Sequence, residues 1–157
     1  MNWTHLHLAL NHVPVLAVPL LTLLLGWGWI FRSRDIQRVA LLWLALLSAV
    51  AIAIKFTGDN AAGMDAARFV PVKAYLDQHE QSADQATTSV FVLGLMAATG
   101  VFLSRGARPV PKWILGILIG AGVVTAVLFA RTANLGGQIL HPSIRPDSTE
   151  LPVNAQP

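Results

Sequence analysis

The sequence has no cysteine among its 157 residues, and only 12% of its residues are charged. The lack of thiols excludes disulfides, thiolate metal sites, iron–sulfur clusters and covalently attached c-type haem. The charged fraction is about half of the roughly 25% that is usual in a soluble domain. With 54% hydrophobic residues and a mean hydropathy of +0.57, the composition is that of a membrane protein.

Several functional signatures are also missing from the sequence. No basic stripe with interleaved aromatic residues occurs, so we do not expect nucleic acid as a partner. There is no Glu-x-x-His pair of the di-iron bundle type, no phosphate-binding loop and no dinucleotide-binding fingerprint. The apolar runs carry no charge between their end caps, which argues against a carrier that moves protons or ions.

The sequence does contain four apolar runs, each long enough to cross about 30 Å of hydrocarbon as a helix once its flanks are included. In hydrocarbon a helix satisfies its own backbone hydrogen bonds, so these runs predict helices rather than strands. The predicted spans are residues 6–31, 39–56, 72–103 and 113–131. We therefore predict an all-α integral membrane four-helix bundle that forms a single domain over residues 1–141.

The ends of these spans carry further signals. Val72, Leu76 and His79 begin an apolar stripe at helical spacing, which predicts that the third helix extends beyond the membrane on the outer side. The segment 57–60 reads as a turn after the second helix, and Gly136-Gly137 predicts the end of the fourth. Residues 142–157 are polar and rich in proline, and we expect them to form a flexible outer tail.

Basic residues predict the orientation of the bundle. They cluster at the two short connections, which hold Arg32, Arg34 and Arg38, and Arg105, Arg108 and Lys112. By the positive-inside rule these connections face the cytoplasm. The chain is then a multi-pass protein of the inner (plasma) membrane with both termini outside the cytoplasm.

All five histidines fall on the outer side of the predicted bundle. His12 lies 20 residues from Arg32, or about 30 Å along a helix, at the outer edge of the hydrocarbon. His7 lies 25 residues from Arg32 and His79 lies 26 from Arg105, so two continuous helices would bring these two to one level. His141 follows Gly136-Gly137, which would allow it to fold back. We interpret His5 as an ordinary interfacial residue and predict a site that contains the other four histidines.

Two other residues are candidates for binding a cofactor. Asn11 is four residues from His7 and shares its helical face, whereas His12 points about 140° away from that face. A single small metal centre would therefore struggle to take both His7 and His12. Arg131 is one of the outer cations that suit acidic cofactor groups such as haem propionates, although each such cation singly is more often an interface anchor.

The chain also carries a family resemblance over residues 6–145. Its motifs are LHLALNHVPV in the first span, YLDQHEQSA leading the third, and TANLGGQILHPSIR after the fourth. They resemble uncharacterised small bacterial four-helix membrane proteins. More distantly, they are similar to the membrane domain-of-unknown-function family with a His-Pro…His-x-Pro signature, which occurs fused to Rieske-type domains. The resemblance implies that His7, His12, His79 and His141 are the motif histidines, and that the protein is associated with membrane redox chemistry. The chain has no proline directly after its first motif histidine.

Three functions fit these residues. The first is a redox protein that binds b-type haem through outer histidines and exchanges electrons with quinol or a periplasmic partner. The second is a histidine site for copper or zinc at the periplasmic edge, because neutral imidazole suits either metal. The third is a non-catalytic membrane subunit of a larger complex. In all three the lipid bilayer surrounds the helices.

Overall fold

The computed structural model describes residues 3–64, 72–105 and 109–146. It contains four long helices and one short 3₁₀ helix, and these described ranges contain no strand. The elements are α1 (Trp3–Ile30), α2 (Arg34–Met64), α3 (Lys73–Leu103), α4 (Lys112–Leu140) and the 3₁₀ helix Pro142–Ile144. The all-α four-helix bundle predicted from the sequence is confirmed.

The four helices pack as a ring in chain order. Each helix contacts the one before and the one after it, and α4 closes the ring by packing on α1. Helices α1 and α3 are therefore diagonally opposite. Because successive helices are antiparallel, the first turns of α1 and α3 and the last turns of α2 and α4 share one end, which we call the histidine end.

The surface of the bundle is suited to lipid. Leucines fill the interior, and Leu25, Leu44 and Leu118 are almost completely buried. Outward-facing side chains are also apolar, with Leu23 71% exposed and Trp113 69% exposed. Such a continuous apolar surface is unfavourable in water. All four helices are long and apolar enough to cross a membrane, which makes this a multi-pass membrane protein.

Small residues allow the helices to approach closely. Gly94 of α3 faces Ser48 of α2, and Gly122 of α4 faces Thr22 of α1, with no room for a Cβ at either glycine. Close contacts of this kind are typical of helix packing in membranes, where small residues replace the hydrophobic driving force of water. They fix the relative heights of the helices and hence of the side chains at the histidine end.

The helix ends differ from the prediction at the histidine end. Helix α2 continues to Met64 through the segment 57–60, and α4 continues to Leu140 through Gly136-Gly137. The predicted turn and the predicted helix break were both wrong, because glycine in a helix interior costs only about 1 kcal/mol and tertiary contacts can offset that. Helix α3 is continuous as predicted, but the other three helices are about as long.

The chain after α4 is also more ordered than predicted as far as Pro146. The 3₁₀ helix Pro142–Ile144 places the Arg145 guanidinium over the ring of Tyr75. Arg145 also donates hydrogen bonds to the carbonyls of Gln138 and Ile139, which lack helix partners at the end of α4. The rest of the predicted tail, residues 147–157, lies outside the described residues.

Candidate functional site

The imidazole of His7 is held by the last turns of α2. Its Nδ1 lies 3.2 Å from the carbonyl oxygen of Ile54 and 3.4 Å from the hydroxyl oxygen of Thr57. The Cε1 edge of the ring lies against Gly58, where an added Cβ would come within 2.9 Å of Cε1. The ring is half-buried and fits only because this helical position has no side chain.

The imidazole of His79 is held in the same way by the last turns of α4. Its Nδ1 lies 3.0 Å from the carbonyl oxygen of Thr132, and its Cε1 lies 3.1 Å from where a Cβ on Gly136 would be. Beside the ring, the hydroxyls of Ser82 and Thr132 are 2.8 Å apart and buried. These contacts set both the height and the rotation of the ring.

The residues that hold each imidazole form what we call its seat, and the seats of His7 and His79 repeat one pattern. In each, the carbonyl acceptor precedes the glycine by four residues, from Ile54 to Gly58 and from Thr132 to Gly136. Gly58 lies 24 residues into α2 counted from Arg34, and Gly136 lies 24 residues into α4 counted from Lys112. Both therefore lie about 36 Å from the opposite end of the bundle. The two rings are at the same level.

The hydrogen bonds also determine the tautomer of both rings. A carbonyl oxygen only accepts, so Nδ1 must carry the proton in His7 and in His79. The second ring nitrogen of a neutral imidazole then presents a lone pair. Neither Nε2 forms a hydrogen bond with any residue that the structure describes. This is the form of histidine that ligates metals, with Nδ1–H held by a backbone carbonyl.

The two imidazoles lie at the same end of the bundle, on diagonal helices. His7 reaches from α1 to the adjacent helix α2, and His79 reaches from α3 to the adjacent helix α4. The shared level of His7 and His79 predicts that His79 packs against α1, but its ring lies on α4, which is adjacent to α3. The two histidines therefore occupy separate positions at the same end of the bundle.

Asn11 lies one helical turn inward from His7 on the same face. Its Oδ1 is buried and has no hydrogen-bond partner within the described part of the chain. A buried acceptor without a partner costs about 1–3 kcal/mol. Its Oδ1 could therefore accept a hydrogen bond from a donor that the described residues do not supply.

The other predicted site residues lie outside this pair. His12 is exposed, and its Nδ1 bonds the Leu8 carbonyl of its own helix at 2.8 Å. His141 is exposed at the C-terminal cap of α4, because the helix continues straight through Gly136-Gly137 instead of folding back. Arg131 is exposed on α4. Across residues 3–64, 72–105 and 109–146, no group of three or more His, Asp or Glu side chains could hold a metal ion. The predicted convergence of four histidines is therefore replaced by a pair.

The sequence analysis missed the residues that hold the rings. Thr57 and Gly58 lie in the segment predicted as a turn and Gly136 lies in the predicted helix break, although a depth count would have placed the two glycines level with the two histidines. No family model, no curated protein and no solved structure matches the chain. The function is therefore argued from the geometry of the pair.

Proposed function

We propose that this protein is a membrane redox protein that binds haem b, which the Nε2 atoms of His7 and His79 would hold. The observation that supports this is the matched pair of seats, each of which fixes Nδ1–H on a carbonyl and leaves Nε2 without a partner among the described residues. A haem held there would supply one-electron chemistry.

The number of ligands favours haem over a bare metal ion. Structural zinc sites use four protein ligands and catalytic zinc sites use three. Haem would need only two ligands from the protein, because the porphyrin supplies the remaining nitrogens. The two level imidazoles of His7 and His79 would supply those two, and no group of three or more potential metal ligands occurs within the described residues.

The residues around the pair have definite roles in this proposal. The carbonyls of Ile54 and Thr132 orient the rings and increase their basicity by accepting Nδ1–H. Gly58 and Gly136 allow the rings to lie against the helix backbones. Asn11 and the outer cation Arg131 are the groups that would meet polar substituents of the cofactor.

The membrane position of the site indicates its electron partners. By the positive-inside rule, the basic residues of the two short connections favour the cytoplasm for the opposite end of the bundle, so the proposal puts the histidine end at the outer face of the inner membrane. At about 36 Å from the inner end, the pair lies just beyond the hydrocarbon. A cofactor there can exchange electrons with quinol in the outer leaflet or with a periplasmic protein.

The test is the visible spectrum of the purified protein, oxidised and reduced, together with its iron, copper and zinc content. The expected result is one haem per chain with the sharp reduced bands of low-spin bis-imidazole iron. His7→Ala and His79→Ala should lose this spectrum, whereas the matched variants His5→Ala and His12→Ala should keep it. Copper or zinc without haem would contradict the proposal in favour of a bare metal site. If the purified protein contained neither haem nor metal, the result would favour a non-catalytic subunit of a larger complex.

A further inference from the structure

A groove of about 590 Å³ lies on the lipid-facing surface of the bundle, between α3 and α4. Its volume is within the usual range for small-molecule sites. Leu93 and Ala121 contribute to its floor, and the side chains at its rim are exposed towards the lipid. A molecule dissolved in the bilayer can therefore enter it sideways.

The groove changes from polar to apolar along the membrane normal. Asp84, at its polar end, is 19 residues from Leu103, which places it about 28 Å from the inner end of α3 and at the outer edge of the hydrocarbon. Gln85, Thr88 and Ser89 follow, and Val92 and Val124 then line the part that reaches the middle of the membrane. This gradient fits an amphiphile with a polar head outside and an apolar tail inside.

The hydroxyl network determines what the Ser89 side chain can offer a ligand. The single proton of the Thr125 hydroxyl goes to the Ala121 carbonyl at 2.8 Å, because a carbonyl only accepts. The Ser89 hydroxyl, 2.7 Å from that of Thr125, must therefore donate to it. Ser89 Oγ then faces the groove with lone pairs and no proton to offer. The Asp84 carboxylate, paired at 2.7 Å with Lys55, is also an acceptor.

We propose that this groove binds the reduced, hydroquinone form of a membrane quinone. A hydroquinone head has two hydroxyl donors for Ser89 and Asp84, whereas the oxidised quinone has only acceptors. The isoprenoid tail would lie along Val92 and Val124. This inference rests on the proposed function, since a hydroquinone is the lipid-soluble electron donor that a haem at the histidine end would use. The groove begins only five residues, or about 7.5 Å along α3, from His79.

The test is equilibrium binding of radiolabelled decylbenzohydroquinone and of decylbenzoquinone to the protein in lipid nanodiscs, with the reduced form kept under dithionite. The reduced form should bind more tightly. Ser89→Ala should weaken its binding about fivefold, the value of one hydrogen bond, and change quinone binding by less than twofold. Thr99→Ala, which removes an exposed hydroxyl of α3 outside the groove, should change neither.

A second variant tests the groove sterically. Ala121→Phe fills its floor and should abolish binding of both forms, whereas Ala98→Phe, on another exposed face of α3, should not. Equal binding of both forms that is insensitive to Ser89→Ala and Ala121→Phe would overturn the proposal. The proposal would also be overturned if Ala121→Phe released copurified phospholipid and the hydroquinone did not compete with that phospholipid. The groove would then be a lipid site.

The same measurement separates this inference from the proposed function. Binding is measured in the native chain and in His79→Ala, and haem is quantified in both. Hydroquinone binding by a native chain without haem would support the groove and contradict the haem proposal. Haem with no hydroquinone binding would support the haem proposal and overturn the groove.

Discussion

The Cε1 edge of the His79 ring lies against Gly136, with Cε1 only 3.1 Å from the position that a Cβ would occupy. Glycine in the middle of a helix is about 1 kcal/mol less favourable than alanine. Helix α4 tolerates this cost where the imidazole of His79, from the adjacent helix α3, must approach the Thr132 carbonyl. The glycine therefore serves the position of the histidine and not the shape of its own helix.

This contact predicts the behaviour of two adjacent glycine variants. Gly136→Ala should improve helix propensity yet weaken haem binding at least tenfold, because the new methyl displaces the His79 ring from its carbonyl acceptor. The neighbouring control Gly137→Ala meets only the flexible end of Ile144 at 3.2 Å and should keep full haem content. Haem titration of both variants decides this. Equal affinities would show that the His79 seat does not position a ligand.

The seat of His7 gives an independent prediction on α2. Gly58→Ala would place a methyl 2.9 Å from Cε1 of His7 and should also weaken haem binding at least tenfold. Gly63→Ala, on the same helix with nothing within 4 Å of the new methyl, is its control. Circular dichroism should show unchanged helix content in both variants. A loss of haem in Gly63→Ala as well would mean that the effect is on folding and not on the seat.

Replacing one axial ligand should change the redox potential in a known direction. His79→Met should raise the reduction potential, because methionine–histidine ligation favours ferrous haem more than bis-histidine ligation does. His12→Met is the matched control, since His12 is exposed and bonds only its own helix. A redox titration followed by absorbance measures both. An unchanged potential in His79→Met would show that His79 is not a ligand.

The orientation is tested by fusion of a periplasmic reporter. Alkaline phosphatase fused after Gln156 should be active, because the positive-inside rule places both termini outside the cytoplasm. The same reporter fused after Ser33, at the arginine-rich connection, should be inactive. The reverse pattern would place the histidine end in the cytoplasm and remove a periplasmic electron partner.

The sequence predicted the elements and the level of the histidine pair, for physical reasons. Apolar length determines where a chain crosses a membrane, and a fixed helical rise converts residue counts into depth, so His7 and His79 could be related before any fold was known. The continuous helices that this count assumed are present in α1 and α3.

What the sequence could not supply was the identity of each neighbour. Periodicity shows that His79 faces inward, but it does not show whether α1 or α4 receives the ring. Local propensity likewise made Gly58 and Gly136 look like helix ends, because the rings that occupy their empty Cβ positions come from residues far away in the chain. Both errors arise from reading tertiary contacts as local signals.

Asn11 supplies the last prediction, in which stability and cofactor binding should change in opposite directions. Its Oδ1 is buried without a partner inside the described ranges, so Asn11→Leu, of similar size, should stabilise the haem-free protein by about 1–3 kcal/mol. If this oxygen instead contacts the cofactor, the same variant should bind haem more weakly than the native chain. Thermal unfolding of haem-free protein and haem titration measure the two effects separately. If the variant gained stability and kept full haem affinity, the burial of Asn11 Oδ1 would be unrelated to haem binding.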